Sequence, residues 1–144
     1  MRKKTKELTI TALLTALAIV IPIVMPVKVL MPPFTATLAS HTPLIIAMFV
    51  SPLAAAFAAI GSAIGFFFAI SPIVAIRAAT HVFFTVAGAY MIRKSANPAL
   101  TVLVTLVLHT ITDMATVYLA AEFFHMGSLL GKNSMGYVDR KSVV

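Results

Sequence analysis

Two segments of this chain each carry a pair of polar side chains four residues apart. Arg77 and His81 form one pair, and His109 and Asp113 form the other. Residues at positions i and i+4 share one face of an α-helix, and an earlier segment adds His41. A guanidinium donates two parallel hydrogen bonds to a carboxylate, and imidazole donates or accepts at a ring nitrogen. The five side chains therefore suit a small ligand that carries a carboxylate.

The surroundings of these polar residues are apolar. Of the 144 residues, 60% are hydrophobic and 10% are charged, whereas a soluble domain has about 25% charged residues. The composition therefore predicts an integral membrane protein. The chain has no cysteine, which excludes disulfides and thiol chemistry.

Five apolar segments follow one another and predict an all-α membrane helix bundle. We expect a single membrane domain over residues 1–125, followed by a polar tail over residues 126–144. At ~1.5 Å per residue, about 20 residues cross the ~30 Å hydrocarbon core. The predicted helices cover about 8–26, 35–50, 53–70, 73–92 and 99–124.

Basic residues give the orientation of the spans. The N-terminal sequence MRKKTKE holds four of the eleven lysines and arginines, and Arg93 with Lys94 follows the fourth segment. Both clusters fall on the same side, which predicts a cytoplasmic N-terminus in a multi-pass protein. The net charge of +7 is therefore a topology signal, and we expect no nucleic-acid partner.

Helix counting places the polar residues in the outer half of the membrane. Arg77 and Asp113 lie at depths of ~8 and ~7 Å, and His81 and His109 at ~14 and ~13 Å. His41 falls at ~9–10 Å. Polar residues within spans usually face the bundle interior and mark a site or pathway. We expect an outward-facing pocket, and a purely structural Arg77–Asp113 ion pair is the alternative.

Other chemistries fit the sequence less well. Three histidines from separate segments lack a local zinc motif, and Arg77 would oppose a cation, so no metal or other cofactor is expected. No serine lies in a nucleophile-elbow sequence, so we expect no enzyme and no catalytic residue. Phenylalanines could wall the pocket, although core packing or lipid contact is the better explanation for any one of them: Phe34, Phe66, Phe67, Phe83 and Phe84.

Three stretches resemble a known family. KELTITALLTALAIVIPIVMP, MPPFTATLASHTPLIIAMFVSPLAA and SPIVAIRAATHVFF are similar to sequences of the S components of energy-coupling factor (ECF) vitamin transporters, in particular the niacin-type group. The resemblance covers about residues 5–94, is weaker through the fifth segment and is absent from the tail.

The resemblance implies a six-helix, prokaryotic cell-membrane protein that binds a vitamin, here niacin (nicotinate), from outside. The candidate substrate contacts are then the polar residues of the outer half, Arg77, His81, His109, Asp113 and His41. The family's first loop covers the ligand, and it corresponds to about residues 27–34, which end at Phe34. Its partners would be membrane lipids, a transmembrane T component and two cytoplasmic ATPase subunits. The family's Ala-x-x-x-Ala docking motif corresponds to Ala12 and Ala16. The sixth helix is not visible, so we expect it to be missing or altered in the tail.

Three alternatives stay open. The first is an S component for another small vitamin. The second is an autonomous small channel or proton relay built on His81, His109 and Asp113. The third is a membrane scaffold without a ligand, in which the polar side chains only hold helices together.

Overall fold

The structure, a computed structural model, describes residues 2–31, 34–37 and 39–139. It is an all-α membrane bundle with one short β-ribbon. The elements in chain order are α1 (Arg2–Val24), β1 (Lys28–Met31), β2 (Phe34–Thr37), α2 (Thr42–Val50), α3 (Pro52–Ala69), α4 (Pro72–Ala79), α5 (His81–Arg93) and α6 (Pro98–Asp139).

Four stretches of the described residues are long and apolar enough to cross a membrane: Lys3–Val24, Pro52–Ala69, Pro72–Arg93 and Pro98–Phe123. The helix α2 has nine residues, about 14 Å, which is under half of the ~30 Å hydrocarbon core. The helix α2 therefore packs within the bundle without crossing the membrane. The predicted membrane fold is confirmed, and four of its five segments are long and apolar enough for full spans.

Three helices, α3, α4 and α6, each begin directly after a serine or asparagine that is followed by proline. The Ser51 hydroxyl accepts a hydrogen bond from the Ala54 backbone N–H at 3.2 Å, and Ser71 does the same for Val74 at 3.4 Å. The Asn97 side-chain oxygen accepts from the Ala99 N–H at 2.8 Å. Each cap satisfies one of the free N–H groups at a helix start. The proline that follows is tolerated at the first helical position, where its missing N–H would have no partner within the helix.

The structure differs from the predicted elements in the second segment. Residues 34–37 form β2, which pairs antiparallel with β1 in a register that places Lys28 opposite Thr37. The predicted helix over 35–50 therefore begins only at Thr42. The β-branched Thr35 and Thr37 favour a strand, which an apolarity count does not detect.

Two further differences concern the fourth and fifth segments. The fourth is two helices, because Thr80 separates α4 from α5 and its hydroxyl donates to the Arg77 carbonyl at 2.7 Å. The fifth, expected to end at 124 before a polar tail, continues as the backbone of α6 to Asp139. A loss of apolar residues marks the end of a span and not necessarily the end of a helix.

The core lies around α3, which packs against α1, α2, α4 and α5. Its inner face consists of small residues, so neighbouring backbones approach closely. At Gly61, an added Cβ would lie 2.9 Å from the Thr15 carbonyl oxygen of α1, and at Gly65 it would meet the Ile19 backbone. The small-residue pattern of α3 therefore serves packing within the bundle, and it fixes α3 as the support for the helices that carry the polar residues.

Candidate ligand-binding site

An ion pair joins α4 to α6 inside the bundle. The Arg77 Nε atom lies 3.2 Å from the Asp113 Oδ2 atom, and the two side chains are 14% and 16% exposed. The Arg77–Asp113 juxtaposition expected from helix depth is present in the structure. Burial of this kind requires a counter-charge, because an isolated charge in a low-dielectric interior is costly.

Three imidazole rings lie together beside this ion pair. We call His41, His81 and His109 the histidine cluster. The ring centroids of His81 and His109 are 4.8 Å apart, those of His41 and His81 4.9 Å, and those of His41 and His109 5.4 Å. His81 is buried, with 5% of its side chain exposed, whereas His109 is 29% exposed.

Asp113 connects the ion pair to the histidine cluster. Its Oδ2 faces Arg77, while its Oδ1 lies 3.6 Å from His81 Nε2 and 3.9 Å from His109 Nδ1. The two oxygens of one carboxylate therefore serve different neighbours. The geometry can orient a guanidinium and hold two imidazoles near one point.

A cavity of about 200 Å³ is bordered by Arg77 of the ion pair and by His41 and His81 of the histidine cluster. We call it the polar pocket. It is lined by Thr37, Ser40, His41, Phe66, Val74, Arg77, Ala78 and His81. Thr37 is buried, and its hydroxyl has no hydrogen-bond partner among the described residues. The pocket therefore offers a guanidinium, imidazoles and a hydroxyl in a small volume.

The predicted site residues are not all placed together. The structure brings together Arg77, His81, His109, Asp113 and His41, whereas Phe34 lies in β2 and its side chain is outside the described part of the structure. Of the other phenylalanines, Phe66 lines the polar pocket and Phe84 packs against His109 with ring centroids 4.7 Å apart. Phe67 and Phe83 are exposed, at 52% and 62%.

Several lining residues were missed at the sequence level. Val74 and Ala78 follow the i, i+3, i+4, i+7 pattern that leads from residue 74 to His81, so helical periodicity could have found them. Thr37 ends β2, and Ser40 lies in the turn before α2, where no helical periodicity exists. Their placement depends on tertiary packing.

A second, apolar cavity of about 550 Å³ lies on the other side of the histidine cluster, between α2, α5 and α6. It shares His41 and His109 with the cluster, and its other walls are mainly aliphatic side chains and Phe84. None of the described residues that line it is an Arg, Lys, Asp or Glu. The polar pocket is therefore the better candidate for an ionic ligand.

The proposed docking residues lie on α1, and no described residue of α1 lines the polar pocket or belongs to the histidine cluster. Ala12 and Ala16 are exposed on α1, whereas Thr11, Leu14 and Ala18 are buried against the bundle. The Ala-x-x-x-Ala motif thus lies on the outer face of α1, available to a further protein.

A comparison with known proteins identifies one relative. The chain is 45% identical over 94 residues to the niacin transporter NiaX of Lactococcus lactis subsp. cremoris (strain MG1363). The match covers 65% of this chain and 42% of the relative, so the chain spans less than half the length of the protein it matches. No family model matches the chain, and no solved structure matches it.

Proposed function

We propose, on the premise that this chain is a relative of a niacin transporter over 94 of its residues, that it is the substrate-binding S component of an ECF-type importer. It captures nicotinate from outside the cell. Uptake is driven by a T component and two ATPase subunits, with the N-terminus of this chain in the cytoplasm and the chain in the prokaryotic cell membrane. The binding of the vitamin itself requires no catalysis by this chain.

The observation that carries the proposal is the guanidinium of Arg77 at the wall of the polar pocket, oriented by Asp113 at 3.2 Å. A carboxylate that enters the pocket meets a cation whose position is already fixed. Charge-assisted hydrogen bonds to a planar guanidinium are shorter and stronger than neutral ones. Preorganisation reduces the entropic cost of binding.

The rest of the pocket suits a small aromatic ring. His41, His81 and Phe66 supply ring surfaces. The Thr37 hydroxyl, which has no hydrogen-bond partner among the described residues, supplies a hydrogen-bonding group. Pyridine nitrogen is a hydrogen-bond acceptor, so an imidazole N–H or a hydroxyl can donate to it.

The size of the pocket favours nicotinate over a larger vitamin. Its volume of about 200 Å³ is below the ~300–1,000 Å³ of pockets for drug-sized ligands. A single ring with one carboxylate fits this space better than a fused or two-ring vitamin does. An S component for another small vitamin is the alternative within the same class.

Energy coupling is assigned to the partners. Ala12 and Ala16 present a small-residue face to the outside of the bundle, which allows another helix to approach closely. We place the T component there. This part of the proposal depends on the family resemblance of the N-terminal stretches and on the relative.

Titration of nicotinate against the detergent-purified protein tests the proposal. Saturable binding is expected, with loss of at least about tenfold in affinity for Arg77→Ala, which corresponds to ~1.4 kcal/mol. Arg93→Ala is the matched control, because Arg93 is exposed at the end of α5, and it should bind normally. Unchanged affinity in Arg77→Ala would remove Arg77 from the site.

A ligand-charge test complements the variant. Nicotinamide has the ring of nicotinate without its negative charge, so it should bind more weakly to the native protein. The two ligands should become similar in Arg77→Ala. Equal affinity of both ligands for the native protein would contradict a carboxylate–Arg77 contact.

The histidine cluster supports one candidate from a different class. Its rings, 4.8 to 5.4 Å apart between centroids, and Asp113 beside them would suit a proton relay through an autonomous small channel. That function predicts proton flux in liposomes containing this chain alone. Absence of flux, together with nicotinate binding, decides for the S component.

A further inference from the structure

We propose that the histidine cluster binds one divalent transition-metal ion of the zinc class, with the Asp113 Oδ1 atom completing the coordination. The inference goes beyond the proposed function, because it concerns an inorganic ligand and holds for whichever vitamin occupies the polar pocket. The sequence favoured no metal. The three-dimensional arrangement changes that balance in four ways.

The first is distance. His41, His81 and His109 each offer one ring nitrogen, and these three atoms lie within 4.8 Å of one another. Ligand atoms around a tetrahedral zinc ion with bonds of ~2.0–2.1 Å are about 3.4 Å apart. Small side-chain rotations therefore suffice to close the triangle around an ion. The Asp113 Oδ1 atom, at 3.6 and 3.9 Å from His81 and His109, lies close to the same spacing.

The second is unsatisfied burial. Four buried ring nitrogens of the cluster have no hydrogen-bond partner in the part of the chain that the structure describes: His41 Nε2, His81 Nδ1, His81 Nε2 and His109 Nδ1. The buried Asp113 Oδ1 atom also has no hydrogen-bond partner among the described residues. Buried polar atoms are nearly always paired, and an unpaired one costs free energy. One cation would satisfy an atom from each of the four residues.

The third is tautomer control. The Ser40 Oγ atom lies 3.3 Å from His41 Nδ1. If the hydroxyl accepts the Nδ1–H hydrogen bond, the buried Nε2 atom keeps its lone pair and can coordinate a metal ion. Metal-ligating histidines commonly donate their second ring nitrogen in this way, which fixes the ring orientation. Ser40 therefore acts as a positioning residue for a metal-ligating His41.

The fourth is charge. Arg77 would repel a cation, but its positive charge is matched by Asp113 at 3.2 Å. The carboxylate directs Oδ2 to Arg77 and Oδ1 to the histidines, so the ion would face an oxygen before it faces the guanidinium. Carboxylates shared between a metal and a hydrogen-bond donor are usual in metal sites.

The donor set specifies the class of metal. Neutral imidazoles suit zinc, copper, iron, cobalt and nickel, whereas calcium and magnesium prefer all-oxygen sites. A three-histidine set with one carboxylate suits tetrahedral zinc. The chain has no cysteine, so the site would be oxygen- and nitrogen-based and insensitive to thiol oxidation.

The experiment uses the full chain in detergent after chelator treatment and dialysis. Titration with ZnCl₂ should give one saturable site per chain. His109→Ala and His41→Ala should each lower Zn²⁺ affinity by more than about 100-fold, since the loss of an outer-shell partner alone costs 10–100-fold. No saturable binding by the native protein would overturn the proposal.

His125→Gln is the matched control. His125 follows His109 in the same helix, about 24 Å further along its axis, so it cannot reach the same ion. It should bind Zn²⁺ as the native chain does. Equal binding by native protein and by the His41→Ala/His109→Ala double variant would also overturn the proposal, because the ion would then be held elsewhere.

Cobalt substitution gives a readout that needs no variant. Tetrahedral Co²⁺ bound to nitrogen and oxygen absorbs visible light much more strongly than octahedral Co²⁺ does, so native protein loaded with Co²⁺ should be coloured. The weak spectrum of octahedral Co²⁺ would contradict the proposed geometry even if a histidine variant failed to fold. Nicotinate titrations of the same samples report separately on the proposed function.

Discussion

Arg77 and Asp113 form a buried ion pair between α4 and α6, with Nε and Oδ2 3.2 Å apart. The carboxylate is a shared group, because its second oxygen faces His81 and His109. One side chain thus links the cation expected to bind the vitamin with the imidazoles expected to bind a metal. Five predictions test this arrangement and the bundle that supports it.

Asp113→Asn should lower stability substantially. Removal of one partner from a buried ion pair leaves an uncompensated charge, at a cost of about 3–5 kcal/mol. The melting temperature in detergent, measured with a chelator present so that no metal contributes, should fall. Glu122→Gln on the exposed face of the same helix should leave it unchanged.

The double variant Arg77→Met/Asp113→Leu separates stability from binding. Replacement of a buried ion pair by apolar side chains of similar size is often neutral, so the melting temperature should recover relative to Asp113→Asn. Nicotinate binding should be lost, because the guanidinium of Arg77 is absent. Retained nicotinate binding by the double variant would show that the ion pair only joins two helices and does not contact the ligand.

Gly65→Ala should destabilise the bundle by about 1–3 kcal/mol through overpacking. The added methyl group would meet the Ile19 backbone, 3.0 Å from its carbonyl carbon and 3.1 Å from its Cα, and the backbone of α1 cannot rotate away. Gly88→Ala is the comparison, because its new Cβ would meet the flexible end of the Met48 side chain and the Thr105 methyl group. Chemical unfolding should show the larger loss for Gly65→Ala, and equal losses would contradict the argument.

Ala16→Trp should separate binding from transport. A large side chain on the exposed face of α1 blocks close helix approach, so uptake by cells that supply the partner subunits should fall at least about tenfold, or ~1.4 kcal/mol in docking. Nicotinate affinity of the isolated protein should not change. Leu13→Trp, also at an exposed position of α1, is the control, and similar uptake by both variants would place the docking face elsewhere.

Ser40→Ala tests the orientation of His41. Loss of the hydroxyl at 3.3 Å from Nδ1 should lower Zn²⁺ affinity about tenfold, the lower end of outer-shell effects. Thr42→Ala changes an exposed neighbour on the other side of His41 and should have no effect. If Ser40→Ala binds Zn²⁺ as tightly as the native chain, Ser40 does not position the ring.

The sequence predicted those contacts of the site that depend on helical periodicity and on depth within the membrane. Spacing of four placed Arg77 with His81 and His109 with Asp113 on shared faces, and helix rise placed Arg77 level with Asp113. These inferences work because the rise per residue of an α-helix is constant. The three histidines form a triangle because their helices pack against one another. Residue spacing within a single helix gives no information about that packing.

The remaining differences arise where no helix sets the geometry. The stretch before α2 forms β2, and its Thr37 and the following Ser40 reach the polar pocket only through the fold of the turn. The position of His41 depends on the same turn. His41 was predicted as a site residue from its depth, and its direct neighbours in the cluster could not be read from that number.

His41 and Asp113 are separated in sequence by half the length of the chain. In the folded chain they belong to one group of a carboxylate and three imidazoles. Closing so long a loop costs entropy that grows only slowly with its length, and none of it is regained until α2, α5 and α6 have assembled. Any ion or vitamin that contacts this group binds the folded chain alone and stabilises it by mass action. A bound ligand would thus raise the fraction of newly inserted chains that stay folded.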